Sequence, residues 1–262
     1  MSLKGYREKR NFATTPEPPP KEKPSRTGRL FCVQKHLATQ LHYDLRLEHS
    51  GVLLSWAVPK GPSLDPSVKR LAMHVEDHPV DYGSFEGVIP EGYGAGIVML
   101  WDTGTWEPES EDVDAALKKG DLKLRLSGYK LKGSWVLVRT RGYQSNSWLL
   151  IKHHDEWAGE LDITEFAPNS VKSGGDFADI LASEKPEFWM SSRPGRPPQR
   201  AGKRALGTPG RGGESGAMLQ RIVERALALR AERESKTKRK ATTPAPRKKS
   251  PQRTQSPQRK RH

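Results

Sequence analysis

The stretch Leu41-His-Tyr-Asp-Leu-Arg-Leu-Glu48 alternates apolar and polar side chains, as a β-strand with one buried face does. The apolar face carries Leu41, Tyr43, Leu45 and Leu47, and the opposite face carries His42, Asp44, Arg46 and Glu48. Alternate residues lie about 6.6 Å apart along a strand, so His42 and Asp44 could bind one metal ion. Arg46 follows one step further on, in a position suited to a bidentate contact with phosphate.

A second run with the same chemistry is Ala72-Met-His-Val-Glu-Asp-His-Pro-Val-Asp-Tyr82. Strand alternation predicts that His74, Glu76 and His78 share one face. An amphipathic strand with an ion pair on its solvent face would explain the first run by itself. Two clusters of imidazoles and carboxylates, however, favour a functional site over that explanation.

The chain around these runs is predicted to be mainly β, a sandwich or a closed barrel with a few short surface helices. Six tryptophans recur across it and are expected to lie in the core: Trp56, Trp101, Trp106, Trp135, Trp148 and Trp157. Helices are predicted at 111–119, with Gly120 as the stop, and at 176–182. Strands are predicted at 30–36, 41–48, 52–58, 71–76, 96–101, 121–127, 131–139 and 147–153.

Composition divides the chain into segments. Residues 1–29 are Pro-rich and polar and are expected to form an extended arm, followed by a β domain at 30–160 and its C-terminal extension at 161–192. Residues 193–262 are expected to be a disordered basic tail, in which an apolar stripe permits a short helix at 217–232.

Charge is concentrated in the tail. Residues 191–262 hold 21 Lys or Arg against 4 Asp or Glu, a net charge of +17 within a total of +14, so the preceding residues carry −3. A polycation of this kind is either a solubilising tail or a sequence-independent binder of nucleic acid phosphates, and we favour the second. The single cysteine, Cys32, and the lack of an apolar run of about 18 residues predict a cytoplasmic protein without a membrane segment.

The residues themselves permit a site for phosphate chemistry. His36, His42 and Asp44 offer two imidazoles and one carboxylate, a set that suits Mn²⁺, Fe²⁺ or Zn²⁺ and leaves positions open for water and substrate. Transfer at phosphate also needs cations and an acid for the leaving oxygen, which Arg46, His78 and Tyr82 could supply. The same metal set also fits an Fe²⁺ oxygenase, so the pattern alone leaves that alternative open.

A colinear series of motifs resembles the 3′-phosphoesterase domain family of bacterial DNA ligase D. The resemblance covers roughly residues 5–157 and leaves out the basic tail. The motifs are Gln34-Lys-His36, Leu41-His-Tyr-Asp-Leu-Arg-Leu-Glu48, Ser55-Trp-Ala-Val-Pro-Lys-Gly61-Pro62, Val75-Glu-Asp-His-Pro-Val-Asp-Tyr82, Phe85-Glu-Gly-Val-Ile-Pro90, Gly133-Ser-Trp-Val-Leu-Val-Arg139 and Trp148-Leu-Leu-Ile-Lys-His153.

The resemblance implies a compact β-barrel with a crescent groove and a Mn²⁺-dependent activity on the 3′ ends of DNA or RNA–DNA primers. The family removes a terminal 3′ ribonucleoside to leave a 3′-phosphate, and then removes that phosphate to leave a 3′-hydroxyl. The positions that match its metal ligands are His36, His42 and Asp44. Those that match its phosphate-binding and catalytic groups are Arg46, His78, Tyr82, Lys60, Arg70, Glu76 and Gln34, with His78 expected to protonate the leaving oxygen.

The N-terminal arm also matches, and Arg10 and Glu17 correspond to residues that the family uses in its diesterase step. The chain has Asn11 where the family typically has Asp. An amide cannot act as a base or supply negative charge, so this departure weighs more against the diesterase step than against the monoesterase step.

The resulting expectation is a stand-alone, metal-dependent 3′-phosphoesterase of DNA end-joining repair, acting at the nucleoid. Because the sequence has no Lys-x-Asp-Gly ligase motif, joining and filling are expected from a separate DNA ligase and polymerase, together with a Ku-like end-binding protein. The alternative is a catalytically weak DNA-end-binding module that recruits repair partners. Metal-dependent release of phosphate separates the two.

Overall fold

The computed structural model describes residues 3, 24–25, 28–89, 94–141, 144–183, 187–188 and 214–242, with side chains in the last helix described for 221–239. The strands are β1 (Leu30–Leu37), β2 (Leu41–His49), β3 (Val52–Val58), β4 (Arg70–Pro79), β5 (Gly87–Ile89), β6 (Gly96–Pro108), β7 (Asp121–Gly128), β8 (Lys132–Arg139), β9 (Ser147–Lys152) and β10 (Glu187–Phe188). The helices are α1 (Val113–Lys119), α2 (Ile163–Phe166), α3 (Phe177–Ala182) and α4 (Glu214–Thr242), and a 3₁₀ helix spans Val80–Ser84.

Eight of these strands close into an antiparallel barrel. They are hydrogen-bonded in the order β1-β2-β3-β4-β9-β8-β7-β6, and β6 pairs again with β1. The two short strands lie outside this ring, β5 antiparallel to β6 and β10 parallel to β5. The prediction of a mainly β barrel is confirmed, and closure leaves no exposed edge along the ring.

Alternating side chains fill the interior of the barrel. Tyr43, Leu45 and Leu47 of β2 belong to the main core cluster, as the alternation in that strand predicts. Trp56, Trp101, Trp106 and Trp135 are completely buried in the same cluster, and Trp148 is buried as well. The prediction of a core position is wrong for Trp157, which is 45 % exposed and follows the last strand of the barrel, with Lys132 over its ring.

The predicted helix at 111–119 forms as α1, and its two ends show why. The side chain of Asp112 accepts a hydrogen bond from the backbone N–H of Ala115 at the N-terminus. Gly120 adopts a left-handed conformation, with φ of 83°, and its N–H bonds the carbonyls of Ala116 and Leu117. A residue with a side chain is strained at that φ, so glycine ends the helix here.

Helix α4 packs against the barrel and is longer than the stretch 217–232 that the apolar stripe indicates. Ile222 and Ala226 are buried in the main core cluster. Arg230, near the end of that stretch, pairs with Asp176, and beyond it Arg233 pairs with Asp176 and Lys236 with Glu165. Sequence periodicity detects only the apolar contacts, because the acidic partners lie more than 50 residues away. Among the described residues, no helix combines the length and the hydrophobicity that crossing a bilayer requires.

Cys32 should resist thiol reagents in the folded protein. Its side chain is fully buried, and burial raises the pKa of its thiol to about 12, while the charge of Arg46 opposes that rise. Because the thiolate is the reactive form, we expect labelling by iodoacetamide at pH 8 to be slower than in the unfolded chain by a factor on the order of 1000. Labelling of native protein at the rate of guanidinium-unfolded protein would contradict the packing of β1 described here.

Candidate active site

The candidate site lies on the outer face of the β1–β2 hairpin. Cross-strand pairing sets His36 opposite His42 and Gln34 opposite Asp44. The polar row of β2 therefore points away from the barrel core, yet it is not a solvated face. Asp44 and Arg46 are buried, and the His42 side chain is 24 % exposed. Polar groups that are buried on the outside of a barrel indicate a built site.

His36, His42 and Asp44 converge in the arrangement that a metal ion needs. Their candidate ligand atoms all lie within 4.8 Å of one another. Oδ2 of Asp44 is 3.9 Å from Nδ1 of His36, and Oδ1 is 3.7 Å from Nε2 of His42. These separations are slightly wider than the roughly 3 Å between adjacent ligands of a small octahedral cation. The three residues predicted as a metal set are thus brought together.

The low pKa of His36 and the orientation of the His42 ring both suit metal binding. Burial lowers the pKa of His36 to about 4, although the Asp44 carboxylate works in the opposite direction. Within the described residues, Nε2 of His36 is buried without a hydrogen-bond partner. Nδ1 of His42 lies 3.0 Å from the carbonyl of Gln40 and donates to it, which turns the lone pair of Nε2 toward Asp44. The donor set therefore fits a divalent transition metal.

Arg46 is held rigidly beside the metal set. Its Nε donates to Oε1 of Gln34 at 2.7 Å, Nη1 donates to the Ser55 hydroxyl at 2.8 Å, and Nη2 donates to Oδ2 of Asp44 at 3.1 Å. The side-chain amide of Gln34 is itself fixed, because its nitrogen donates to the carbonyls of Tyr82 and Phe85. A guanidinium has five N–H donors, so these contacts leave one on each terminal nitrogen for a ligand in the cleft.

A β-bulge in β4 brings the second cluster to the same face. The register with β3 shifts between the pairs Leu53–His78 and Ser55–Val75. As a result Glu76 and His78 line the cleft, whereas His74 lies opposite Trp56 and packs against that ring at 4.9 Å. The prediction that His74 shares a face with Glu76 and His78 is wrong, because one extra residue in the strand reverses the alternation.

His78 and Tyr82 complete the wall opposite the metal set. Nδ1 of His78 lies 2.8 Å from the carbonyl of Glu76 and donates to it, and it is 3.4 Å from the Ser55 hydroxyl. The rings of His78 and Tyr82 are 5.2 Å apart, and the guanidinium carbon of Arg46 lies 4.9 Å from the centre of the Tyr82 ring. The 3₁₀ helix after β4 supplies Tyr82, which sequence periodicity did not assign to any element.

These groups surround one cleft of about 460 Å³. Seven of the predicted site residues line it. An eighth, Gln34, does not reach the cleft, because it lies fully buried behind Arg46. The lining residues among the predictions are His36, His42, Asp44, Arg46, Glu76, His78 and Tyr82. Basic groups, acidic groups and the candidate metal ligands thus face one space large enough for a phosphate group.

Four predicted residues are not placed in this cleft. Lys60 follows β3 and lines a second cavity of about 340 Å³, together with Tyr43 on the inner face of β2. Arg70 begins β4 opposite Leu150, a core residue, so its side chain starts on the inner side of the barrel wall. Arg10 and Glu17 lie outside the described residues.

Two further residues support the site and were not predicted. Ser55 is completely buried and connects Arg46 to His78, and its signal in the sequence is a lone hydroxyl within the apolar strand β3. Gly96 allows β6 to pack closely against the β1–β2 hairpin, because a Cβ at that position would lie 2.9 Å from Cα of Ala38 and 3.0 Å from Nε2 of His36. Both roles depend on contacts between strands that are distant in sequence.

Comparison with known proteins agrees with this geometry. Residues 34–139 match the family model described as the DNA Ligase D 3′-phosphoesterase domain. The chain is 48 % identical over 215 residues to the multifunctional non-homologous end joining protein LigD of Pseudomonas aeruginosa, which covers 79 % of this chain and 24 % of that protein. It is 41 % identical over 195 residues to LigD of Mycolicibacterium smegmatis, which covers 71 % of this chain and 24 % of that protein.

A third relative, the multifunctional non-homologous end joining DNA repair protein LigD of Mycobacterium tuberculosis strain H37Rv, is 41 % identical over 184 residues, 70 % of this chain and 24 % of that protein. The chain thus spans about a quarter of the length of the curated relatives it matches. The matched residues include the whole metal set, the Arg46 contacts and the wall formed by His78 and Tyr82. The chain belongs to the DNA ligase D 3′-phosphoesterase domain family.

Proposed function

We propose that the chain is a metal-dependent 3′-phosphoesterase that processes DNA or RNA–DNA primer 3′ ends in non-homologous end joining. The observation that carries the proposal is the convergence of a three-residue metal set, a buried arginine with unused donors and a histidine on one cleft. Family membership supports the same reaction class.

In this proposal His36, His42 and Asp44 hold Mn²⁺, which would act as a Lewis acid on a phosphoryl oxygen. Arg46 binds the same phosphate through its two remaining N–H donors. Because Gln34, Ser55 and Asp44 fix the guanidinium before substrate arrives, little orientation is lost on binding. Tyr82 packs under the guanidinium and limits its movement toward the barrel wall.

His78 is proposed as the acid that protonates the leaving oxygen. Its Nδ1–H is occupied by the carbonyl of Glu76, so the proton to be transferred would reside on Nε2. Ser55 and Tyr82 hold the ring in place from two sides. Lys60 and Arg70 remain proposed catalytic residues on the strength of the family resemblance, and they would act from the second cavity or the barrel wall.

The reaction is proposed to have two steps. The diesterase step removes a terminal 3′ ribonucleoside and leaves a 3′-phosphate, and the monoesterase step removes that phosphate. Arg10 and Glu17 of the arm are assigned to the first step by resemblance, and Asn11 in the same arm removes a carboxylate that the family typically has there. We therefore expect the second step to be the faster one in this chain.

The proposal is tested with a labelled primer–template that ends in a 3′-phosphate, resolved on a denaturing gel. Conversion to a 3′-hydroxyl with Mn²⁺, and none after chelation by EDTA, is the expected result. A duplex that carries the phosphate on its 5′ end is the matched control and should remain unchanged. Equal loss of the 5′-phosphate would contradict a 3′-specific site, and no conversion of either end would favour a DNA-end-binding module instead.

Binding partners are proposed on the same basis. The substrate would be a primer–template 3′ end at the nucleoid. The relatives are named as non-homologous end joining proteins, and on that basis we propose a DNA ligase, a polymerase and a Ku-like protein as the partners for joining and filling.

The basic tail should contribute affinity for DNA and leave chemistry unaffected. Residues 243–262 contain seven Lys or Arg and no acidic residue. Ending the chain after Thr242 keeps α4 and removes these charges. We expect weaker DNA binding, with the slope of log K against log salt reduced by at most about 6, and an unchanged rate on a saturating short oligonucleotide. Measurement of binding across a salt series checks this, and an unaltered slope would exclude a role for these residues in DNA binding.

A further inference from the structure

The turn between the two metal-binding histidines is exposed and short. Ala38, Thr39 and Gln40 connect β1 to β2, and all three line the cleft. Its two flanking histidines, His36 and His42, lie opposite each other across the hairpin. Because only the pair Leu37–Leu41 separates the turn from these two residues, a shift of the turn can alter the distance between two ligands of the metal set. Hairpin turns at a surface are the most mobile part of such a unit unless something holds them.

Helix α4 supplies a contact that holds this turn. Nη1 of Arg225 donates a hydrogen bond of 2.9 Å to the carbonyl of Thr39. The next carbonyl along the chain, that of Gln40, orients the His42 ring at 3.0 Å. The two contacts thus act on neighbouring peptide units, one fixing the turn and the other fixing a ligand.

The helix that carries Arg225 is itself anchored. Ile222 and Ala226, on either side of Arg225 in sequence, are buried in the barrel core. One turn further on, Arg230 donates through Nε and Nη2 to the carboxylate of Asp176. Asp176 in turn caps α3, whose residue Phe177 lies in the same core. The backbone that carries the Arg225 side chain is therefore held in place.

We infer that Arg225 is a positioning residue for the metal site, which it holds through the Thr39 carbonyl of the β1–β2 turn. The inference rests on the metal-dependent function proposed above. It gives α4, which lies outside the residues matched by the family model, a role in the activity of the barrel. The helix acts on the distance between His36 and His42 and makes no contact with substrate in this role.

The direction of the change in Mn²⁺ affinity distinguishes a positioning role of Arg225 from a purely electrostatic one. Arg225 carries a positive charge close to a cation site, so its removal by electrostatics alone would strengthen Mn²⁺ binding. Loss of positioning has the opposite effect. Partners that orient a metal ligand typically change affinity by 10- to 100-fold, and Arg225 acts one step further away, so we expect Arg225→Ala to weaken Mn²⁺ binding by about 5-fold.

The test measures Mn²⁺ affinity by calorimetry on the full chain without substrate. Arg225→Ala should bind Mn²⁺ about 5-fold more weakly, and Arg225→Lys, whose ammonium can still donate to the Thr39 carbonyl, should recover part of the loss. Arg221→Ala is the matched control. Arg221 is exposed one turn earlier on α4, and its substitution removes the same positive charge from the helix. Its affinity should equal that of the wild type.

The outcomes distinguish this inference from the function on which it rests. Wild-type affinity in Arg225→Ala, or an equal loss in Arg221→Ala, would overturn the positioning role and leave the proposed function standing. Absence of Mn²⁺ binding in the wild type would overturn both. The Arg225 and Arg221 variants should keep the thermal unfolding midpoint of the wild type, because both side chains are exposed.

Discussion

Replacing His42 by alanine should abolish Mn²⁺ binding and phosphate release while the barrel stays folded. The side chain would supply one of the three proposed metal ligands, and the other two cannot enclose a cation. We expect metal affinity to fall by more than about 100-fold, beyond the effect of removing an outer partner of a ligand. Because the side chain is 24 % exposed and outside the core cluster, its loss removes little buried apolar surface.

His49→Ala is the matched control for this variant. His49 lies at the other end of β2 and pairs with Asp114 of α1, away from the cleft. Both variants should keep the circular dichroism spectrum of the wild type, and only His42→Ala should lose Mn²⁺ binding by calorimetry. An unchanged rate of phosphate release in His42→Ala would eliminate the metal site proposed here.

Arg46→Lys should reduce phosphate release by about 100- to 1000-fold with Mn²⁺ binding largely retained. The charge is kept, but a lysine cannot reach Gln34, Ser55 and Asp44 at once and still present two donors to phosphate. Removing a fixed donor to developing charge typically lowers kcat by that factor. Rates under saturating Mn²⁺ give the effect on chemistry, and calorimetry gives the effect on the metal.

The free energies of unfolding of Arg46→Ala and Arg46→Lys test whether Arg46 is the buried partner of Asp44. Arg46→Ala leaves the Asp44 carboxylate buried without its partner, and we expect the free energy of unfolding to fall by about 3–5 kcal/mol in the absence of metal. Arg46→Lys should lose less, because a cation still faces Asp44. If Arg46→Lys keeps the wild-type rate of phosphate release, the bidentate role in phosphate binding is incorrect.

Local alternation was enough to predict the half of the site that lies on one hairpin. His42, Asp44 and Arg46 share a face of β2, and His36 joins them because it is paired directly with His42. Each of these positions follows from strand periodicity and a short turn. The eight barrel strands were likewise predictable, since their runs are apolar and bounded by Gly, Pro or Asp.

Contacts between distant segments could not be predicted in this way. The bulge in β4 places His74 against the Trp56 ring and brings His78 to the cleft, and strict alternation gives no sign of it. Short pieces such as β5 and the turn that carries Tyr82 are too brief for any periodicity to appear. Helix α4 is fixed by pairs such as Arg230 with Asp176, which are 54 residues apart in the chain.

The most direct test follows Mn²⁺ binding and 3′-phosphate release in the same titration of the full chain. We predict that one Mn²⁺ binds per chain and that release of phosphate from a primer–template saturates at the same Mn²⁺ concentration as binding. Phosphate release that persists without any divalent metal, or a saturated metal site with no release, would contradict the proposed metal-dependent phosphoesterase.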